Sequence, residues 1–330
     1  MLTEKTKNNS SIKKIAILYS DAQRQYFPTE ELYITEAEVK DRAKLIAEIL
    51  RDKEYRVEIF PGDAKLSETL ANFKPDKVIN LVDSVYGKEY LAASVPATLE
   101  LLKIPYTGSG MLASSINANK YLTKSLLEQY GITTPKYQLI KHASDEIDEE
   151  LDFPLFIKLN ENHGSLEVSE TSVCFDDKMA KVQIDFLYKN YKQPILLEEF
   201  IAGREITVVV VEGGNTKIYA AEKIFHRVDN NPFKKIVTFD DNWLSTEKTI
   251  TYEKYDLPEA VKEDIKIAFS VLKIEDYAKF DFRLDEAGRH YLIDVNVNPA
   301  LGPSNSCAIG SILQLHGLGF YTLLDRLINN

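Results

Sequence analysis

Two alternating segments decide the fold: Lys279-Phe280-Asp281-Phe282-Arg283-Leu284 and His290-Tyr291-Leu292-Ile293-Asp294-Val295-Asn296. They are joined by Asp285-Glu286-Ala287-Gly288-Arg289. Because successive side chains of a strand point to opposite faces, the pattern predicts two strands around a tight turn, with one apolar face. The residues expected on that apolar face are Phe280, Phe282, Leu284, Ile293 and Val295.

The other face of the predicted hairpin carries charge, with Lys279, Asp281, Arg283, Asp294 and Asn296. A turn centred on Ala287-Gly288 sets Asp281 opposite Asp294, and two facing carboxylates repel each other unless a positive group lies between them. The oxygens of Asp281, Asp294 and Asn296 suit a hard divalent cation such as Mg²⁺. The cations Lys279 and Arg283 indicate that anionic groups also bind there. The alternative is an amphipathic hairpin with a solvated charged face.

Length and composition bound the class of protein. The 330 residues are enough for two or three sub-domains, and 44% hydrophobic and 28% charged residues are ordinary for a globular protein. The net charge of −11 argues against nucleic acid or an anionic membrane as the main partner. Two cysteines, Cys174 and Cys307, form no metal-type spacing. The N-terminus is polar, and a flexible tail is expected at 1–12. Because no apolar run is long enough for a transmembrane helix, the cytoplasm is the expected location.

The first third of the chain alternates strands with helices. Strands are predicted at 13–20, 55–60, 77–82 and 104–106, helices at 36–53, 66–73 and 89–103, and a loop at 20–35. Such alternation predicts a doubly wound parallel sheet, with ligands beyond the C-terminal strand ends. Asp83 and the Thr107-Gly108-Ser109-Gly110 run lie at those ends.

The remaining chain predicts a different architecture. Helices are expected at 119–130, 176–191, 257–272 and 307–328, strands at 154–159 and 194–200, and a hairpin of 205–212 with 216–225 around Gly213-Gly214-Asn215. Residues 226–256 read as a long polar loop, and a connection of that length is uncommon unless functional.

Two further segments carry candidate nucleotide chemistry. Lys158 ends an apolar strand before a loop with Gly164-Ser165, where a lysine and backbone N–H groups can bind phosphate. Lys120 is a second candidate, and for both the alternative is a lysine that snorkels to solvent.

The segment Glu198-Glu199-Phe200-Ile201-Ala202-Gly203-Arg204-Glu205 suits a nucleoside. Glu198 and Glu205 offer acceptors, and Phe200 and Ile201 an apolar wall; the alternative is a charged β-turn. No Gly-x-Gly-x-x-Gly follows the first strand, and neither a P-loop nor a Gly-x-Ser-x-Gly elbow occurs.

Taken together, these motifs resemble the ATP-grasp superfamily, and within it the D-alanine–D-alanine ligase-like enzymes. The resemblance covers nearly the whole chain and is carried by 80–83 with Glu89, 104–109 leading to 119–124, 197–205 and 292–299. It implies an N-terminal pre-ATP-grasp α/β domain at 1–115, then a two-lobed ATP-grasp domain with a small lobe at 116–202 and a catalytic lobe at 203–330.

The resemblance also implies roles for individual residues. Lys120 and Lys158 hold ATP phosphates, and the 161–166 loop with Gly164 and Ser165 closes over them. Glu198 and Glu205 serve adenine and ribose, while Glu199 and Ile201 offer backbone contacts. The magnesium ligands are Asp281, Asp294 and Asn296, with ATP and Mg²⁺ as cofactors and Mn²⁺ as a substitute. ATP then converts a carboxylate to an acylphosphate, which an amine attacks to form an amide. Homodimers are common among such ligases.

Several positions depart from the D-alanine–D-alanine pattern. Lys279 stands where those ligases carry an arginine, which Arg283 could replace. Asn242-Trp243 replaces a lysine-tyrosine pair, and 300–303 replaces a Gly-Met. Substrate-facing residues are expected to be Glu38 (or Glu36 in its place), Asp83, Trp243, Ser304, Asn305 and Ser306.

These departures favour a ligase for a small-molecule carboxylate and amine other than two D-alanines. Three alternatives stay open: a phosphotransferase without an amine acceptor, a non-catalytic nucleotide-binding module and a true D-alanine–D-alanine ligase.

Overall fold

The computed structural model describes residues 12–213, 216–226, 231–245, 247–304 and 306–329. Residues 1–11 of the tail expected at 1–12, the hairpin turn at 214–215 and Asn305 lie outside the described residues. Within the described ranges, no helix is long and apolar enough to cross a membrane.

The N-terminal sheet is parallel, as predicted. Its strands are β1 (Lys14–Tyr19), β2 (Arg56–Pro61) and β3 (Lys77–Leu81), in the order β2-β1-β3. The central strand β1 is buried from Ile15 onwards, as its continuous apolar run requires of a strand covered on both faces. The predicted fourth strand contributes only one bridge, between Val78 and Tyr106. The helices of this region are α1 (Glu30–Ala37), α2 (Val39–Arg51), α3 (Leu66–Phe73), α4 (Ser94–Leu102) and α5 (Met111–Asn117).

The predicted loop at 20–35 is wrong at its C-terminal end. α1 begins after Thr29, whose side-chain oxygen accepts a hydrogen bond from the Leu32 N–H at 3.2 Å. Glu30 and Glu31 in the first turn favour the helix through its dipole. The helix predicted over 36–53 therefore includes the last two residues of α1 and the whole of α2.

The second sheet is antiparallel and follows α6 (Lys120–Gln129). It has the order β4-β7-β5-β6 and is covered by α7 (Asp177–Tyr191). Its strands are β4 (Tyr137–Ile140), β5 (Leu155–Leu159), β6 (Val173–Cys174) and β7 (Ile195–Glu199).

The third sheet is also antiparallel, in the order β10-β9-β8-β11-β12. Its strands are β8 (Arg204–Val211), β9 (Lys217–Phe225), β10 (Ile250–Lys254), β11 (Tyr277–Leu284) and β12 (His290–Asn296). Its helices are α8 (Phe239–Trp243), α9 (Glu259–Val271), α10 (Ala308–Leu315) and α11 (Phe320–Asn329).

The prediction of a long polar loop at 226–256 is wrong, because α8 and β10 lie within it. β10 is an edge strand that pairs with β9, Ile250 opposite Phe225. Its outer end is exposed, so it lacks the clear burial alternation that predicts a strand.

The β11–β12 hairpin has the predicted pairing, with Asp281 opposite Asp294. The register slips by one residue between Asp281 and Phe282, so that Phe282 pairs with Leu292. This bulge puts Leu292 in the core and turns Ile293 towards a cleft. The prediction that Ile293 packs in the core is therefore wrong.

One apolar core joins the first and third sheets. It combines β1 and α2 with the far end of β8 and with α10 and α11. The packing fixes the carboxyl ends of the parallel strands against the third sheet. The division at 115/116 and 202/203 stays a prediction.

Candidate functional site

A cleft of about 480 Å³ lies where the three sheets meet. It is lined by nearly all predicted site residues, namely Glu38, Asp83, Lys120, Lys158, Gly164, Ser165, Glu198, Glu199, Phe200, Ile201, Glu205, Trp243, Lys279, Asp281, Arg283, Asp294, Asn296 and Ser306. Ser304 does not line it, contrary to expectation, because it lies back against α10, where its carbonyl accepts a hydrogen bond from the Ser311 hydroxyl.

Glu198 is buried between two lysines. Its Oε1 lies 2.8 Å from Lys124 Nζ and its Oε2 lies 3.0 Å from Lys158 Nζ. Burial opposes ionisation of Glu198, but the charges of Lys124 and Lys158 outweigh it and hold its pKa below the usual value. Glu198 is thus an anionic counter-ion here, whereas the resemblance implies an acceptor for adenine.

Lys120 is hydrogen-bonded to the 161–166 loop, which the resemblance assigns to phosphate binding. Its ammonium donates to the carbonyl of Asn162, and Nζ lies 3.5 Å from His163 Nδ1. Burial, then the charge of Lys120, lowers the pKa of His163 to about 3, so the ring is neutral. The Lys120 N–H also donates to the Asn160 carbonyl at 3.1 Å. The start of α6 and the loop therefore form one wall of the cleft.

α8 holds the same loop from the opposite side. Trp243 Nε1 donates to the Gly164 carbonyl at 2.8 Å, and Asn242 Nδ2 donates to Ser165 Oγ at 3.2 Å. Gly164 has φ +70°, and a Cβ there would lie 3.2 Å from the indole of Trp243. Glycine adopts this backbone conformation without strain, and its lack of a Cβ allows Trp243 to approach closely.

Asp281 and Asp294 form the oxygen pair expected to bind a metal. Asp281 Oδ1 accepts from Thr207 Oγ1 at 2.6 Å and from Lys223 Nζ at 3.2 Å, and Oδ2 accepts from Lys279. Burial opposes ionisation of Asp281, but Lys223 and Lys279 outweigh it and lower its pKa. Burial is likewise outweighed at Asp294, whose pKa is lowered by nearby lysines. Both carboxylates are therefore ionised.

This donor set fits Mg²⁺. Asn296 Nδ2 lies 3.4 Å from Asp294 Oδ2, which places an amide beside the carboxylates. Among the described residues, no cluster of three or more His, Cys, Asp or Glu side chains is arranged to hold a metal. Mg²⁺ is commonly bound by one or two carboxylates together with substrate phosphates, and two aspartates with an asparagine fit that coordination preference.

Arg283 does not lie beside Lys279, although both project from the same face of β11. They are four positions apart along the strand, which corresponds to roughly 13 Å between their backbone positions. Arg283 is buried, its Nη1 lies 3.3 Å from Glu205 Oε2, and its Nε donates to the Ile201 carbonyl at 2.9 Å. Its guanidinium also stacks 4.8 Å from the centroid of Phe200. Arg283 thus contacts the segment predicted to bind the nucleoside, and its role in place of the missing arginine stays a prediction.

Two buried lysines of the site were missed by sequence reasoning. Lys124 follows Lys120 by four residues on α6, which places both on one helix face. Lys223 lies opposite Glu205 in the register of β8 and β9, and its ammonium donates a hydrogen bond to the Glu205 carboxylate. The predicted hairpin register alone would have brought Lys223 opposite Glu205.

The far end of the cleft is acidic. Glu38 is partly exposed and pairs with Arg42, whereas Glu36 is buried. Burial raises the pKa of Glu36 to about 8, and repulsion from Asp83 and Glu89 adds to the effect. Burial likewise raises the pKa of Asp83 to about 6 and that of Glu89 to about 7. Both acids considered for the substrate amine, Glu38 and Glu36, line the cleft.

The chain is similar to proteins of one family. A family model described as D-ala D-ala ligase C-terminus matches residues 126–329. A D-alanine–D-alanine ligase of Pelagibacter ubique is 29% identical over 88% of this chain and 92% of that protein. A D-alanine–D-alanine ligase of Aquifex aeolicus is 27% identical over 86% and 92%. The uncharacterized protein y4sG of Sinorhizobium fredii is 26% identical over 77% of each.

Solved structures share the fold. Crystal structures of D-alanine–D-alanine ligase from Bacillus anthracis, one of them complexed with ATP, give TM-scores of 0.72 and 0.74. Their identities are 20% and 21%, and 96% of each chain is covered. The chain therefore belongs to the D-alanine–D-alanine ligase family, whose members are ADP-forming ATP-grasp ligases that use ATP and Mg²⁺.

Proposed function

We propose that this protein joins an amino acid or small peptide-like carboxylate to an amine through an acylphosphate. A carboxylate oxygen of the first substrate attacks the γ-phosphorus of ATP, and the bond to the β–γ bridging oxygen breaks, releasing ADP. The amine nitrogen then attacks the acyl carbon and loses a proton, and phosphate departs with the oxygen. No covalent intermediate on the protein is required.

One observation supports the proposal most directly: ionised Asp281 and Asp294 line the same cleft as the buried Lys120 and the partly buried Lys158. Lysines provide point charges for the phosphates, and oxygen ligands suit the accompanying metal. Asp281, Asp294 and Asn296 would hold Mg²⁺, which when bound neutralises charge on the phosphates.

The remaining residues position the two substrates. Glu205, held by Lys223 and Arg283, is assigned to the ribose, and Phe200 and Ile201 to the purine wall. Glu198 would accept from the purine amine once the nucleotide draws Lys158 towards its phosphates. Lys279, paired with Asp281, is assigned to the charge that develops on the reacting carboxylate.

The proposed substrates differ from a pair of D-alanines. This is supported by Lys279, Asn242 and Trp243 at positions where the D-alanine pattern has arginine, lysine and tyrosine. A true D-alanine–D-alanine ligase is the second candidate, and the names of the Pelagibacter ubique and Aquifex aeolicus relatives favour it.

ADP release measured over pairs of D- and L-amino acids tests the proposal. We expect release that depends on two substrates together, with the amide product identified by its mass. D-alanine alone giving the dimer at full rate would establish the second candidate. ADP release with one substrate and a stable phosphorylated product would contradict amide formation.

A further inference from the structure

The acidic end of the cleft brings four carboxyl groups together with one arginine. Glu36, Glu38, Asp83 and Glu89 all line it, and Arg42 lies among them. Burial raises the pKa of Glu36 to about 8 and that of Glu89 to about 7, so these two carboxyl groups hold protons readily when no cation lies beside them. The charge of Lys120 acts on Glu89 and partly opposes the rise in its pKa.

Two oxygens at this end lack a donor. Glu36 is only 5% exposed, and its Oε2 has no hydrogen-bond partner among the described residues. Glu89 Oε1 accepts from Asn162 Nδ2 at 3.0 Å and from the His163 N–H at 3.1 Å, whereas its Oε2 has no such partner in the same ranges. His163 Nε2 lies 3.6 Å from that oxygen, beyond hydrogen-bond reach. A buried acceptor without a donor is costly, so each such atom calls for an explanation.

The strongest influences on Glu36 are not cations. They are its burial, the carboxylates of Asp83 and Glu89, and the hydroxyls of Ser20 and Ser84. Arg42 pairs with Glu38 and offsets the charge of Asp83. The arrangement therefore leaves room for a positive group supplied by a ligand.

We propose that Glu36, Asp83 and Glu89 form a subsite for a primary alkylammonium group that the substrate carries in addition to its reacting groups. An ammonium is compact and has three N–H donors, enough to reach the free oxygens of Glu36 and Glu89 and the carboxylate of Asp83. The substrate class is then a basic amino acid of the lysine or ornithine type, or a small diamine. This inference rests on the proposed ligase function, which makes the cleft the substrate site. It adds that the substrate carries a second positive charge.

Calorimetric titration of the full chain, with Mg²⁺ and a non-hydrolysable ATP analogue present, tests the subsite. Lysine is compared with norleucine, ornithine with norvaline, and 1,5-diaminopentane with pentylamine, using D- and L-forms of the amino acids. Members of each pair differ chiefly in the terminal ammonium. We expect at least one charged compound to bind about tenfold or more tightly than its uncharged match. The amino-acid and diamine arms identify which substrate carries the group.

Glu36→Gln and Glu89→Gln provide the matched variants. Each is expected to weaken binding of the charged compound about tenfold relative to binding of its uncharged match. ATP-analogue binding also reports whether each variant is folded, and Asp83→Asn replaces any variant that is not. Equal affinities within every pair, or a preference that survives in the folded variants, would overturn the subsite.

The two proposals fail separately. ADP release with uncharged substrates, together with no preference for the ammonium, retains the ligase and removes the subsite. A charge preference that depends on Glu36, with no amide formed from any pair, retains the subsite and removes the ligase.

Discussion

At the scale of single residues, several lysines and acids of the site are paired with one another. Glu198 pairs with Lys124 and Lys158, and Asp281 pairs with Lys223 and Lys279. Removing one member of a buried pair leaves an uncompensated charge, so each partner constrains the others. A nucleotide therefore enters an existing network and redistributes contacts that are already made.

Glu36 gives the chain a pH dependence with a defined sign. Its pKa is raised from 4.5 to about 8, by burial first and then by Asp83 and Glu89, with Ser20 and Ser84 acting in the opposite direction. The folded chain thus holds a proton that the unfolded chain has released between these two values. Because unfolding releases that proton, the free energy of unfolding falls as the pH rises from about 5 towards 8.

Glu36→Gln removes that loss, since glutamine does not titrate. We expect the variant to gain stability relative to the unmodified protein by a few kcal/mol between pH 5 and pH 9, measured by urea unfolding. A difference between the two proteins that stays constant with pH would contradict the raised pKa of Glu36.

At the scale of elements, the β11–β12 hairpin shows what alternation can and cannot predict. The position of the turn was enough to set Asp281 opposite Asp294, because pairing follows from counting outward. The bulge after Asp281 was not predictable from period two, since an extra residue in one strand breaks the count. Beyond the bulge, Leu292 and Ile293 exchange the roles that alternation assigns them.

Leu292→Ala and Ile293→Ala test this exchange as a matched pair. Leu292 is 2% exposed and packs in the core, so its truncation should cost about 2–4 kcal/mol in urea unfolding. Ile293 lines the cleft, so its truncation should cost less stability and weaken ATP binding more. A larger loss of stability in Ile293→Ala than in Leu292→Ala would contradict the bulge and favour uninterrupted alternation along the strand.

The α8 helix offers a direct optical probe of the phosphate loop. Trp243 is the one tryptophan of the sequence, and its indole donates to the Gly164 carbonyl. We expect an ATP analogue with Mg²⁺ to change the tryptophan fluorescence as the loop adjusts to the phosphates. The change should saturate with the dissociation constant found by calorimetry; saturable binding without any change would place the nucleotide away from the loop.

At the scale of the whole molecule, the cleft joins residues more than 200 positions apart in sequence. Lysine, acid and asparagine positions were predictable because each type suits a part of nucleotide or metal binding, and because the segments resemble a known family. Sequence reasoning did not show that Glu198 is bound by two lysines, that Arg283 supports Glu205, or that Ser304 lies outside the cleft. Those facts depend on how three sheets pack, which no local pattern contains.

The central claim is that Asp281 and Asp294 support Mg²⁺-dependent activation of a carboxylate by ATP in this cleft. ADP release from the unmodified protein and from Asp294→Asn, across a range of Mg²⁺ concentrations, tests it most directly. Glu286→Gln, on the exposed turn of the same hairpin, is the control. We predict that Asp294→Asn loses about 100-fold or more in rate and requires more Mg²⁺, while the control is unchanged. ADP release by Asp294→Asn at the rate and Mg²⁺ dependence of the unmodified protein would contradict the account.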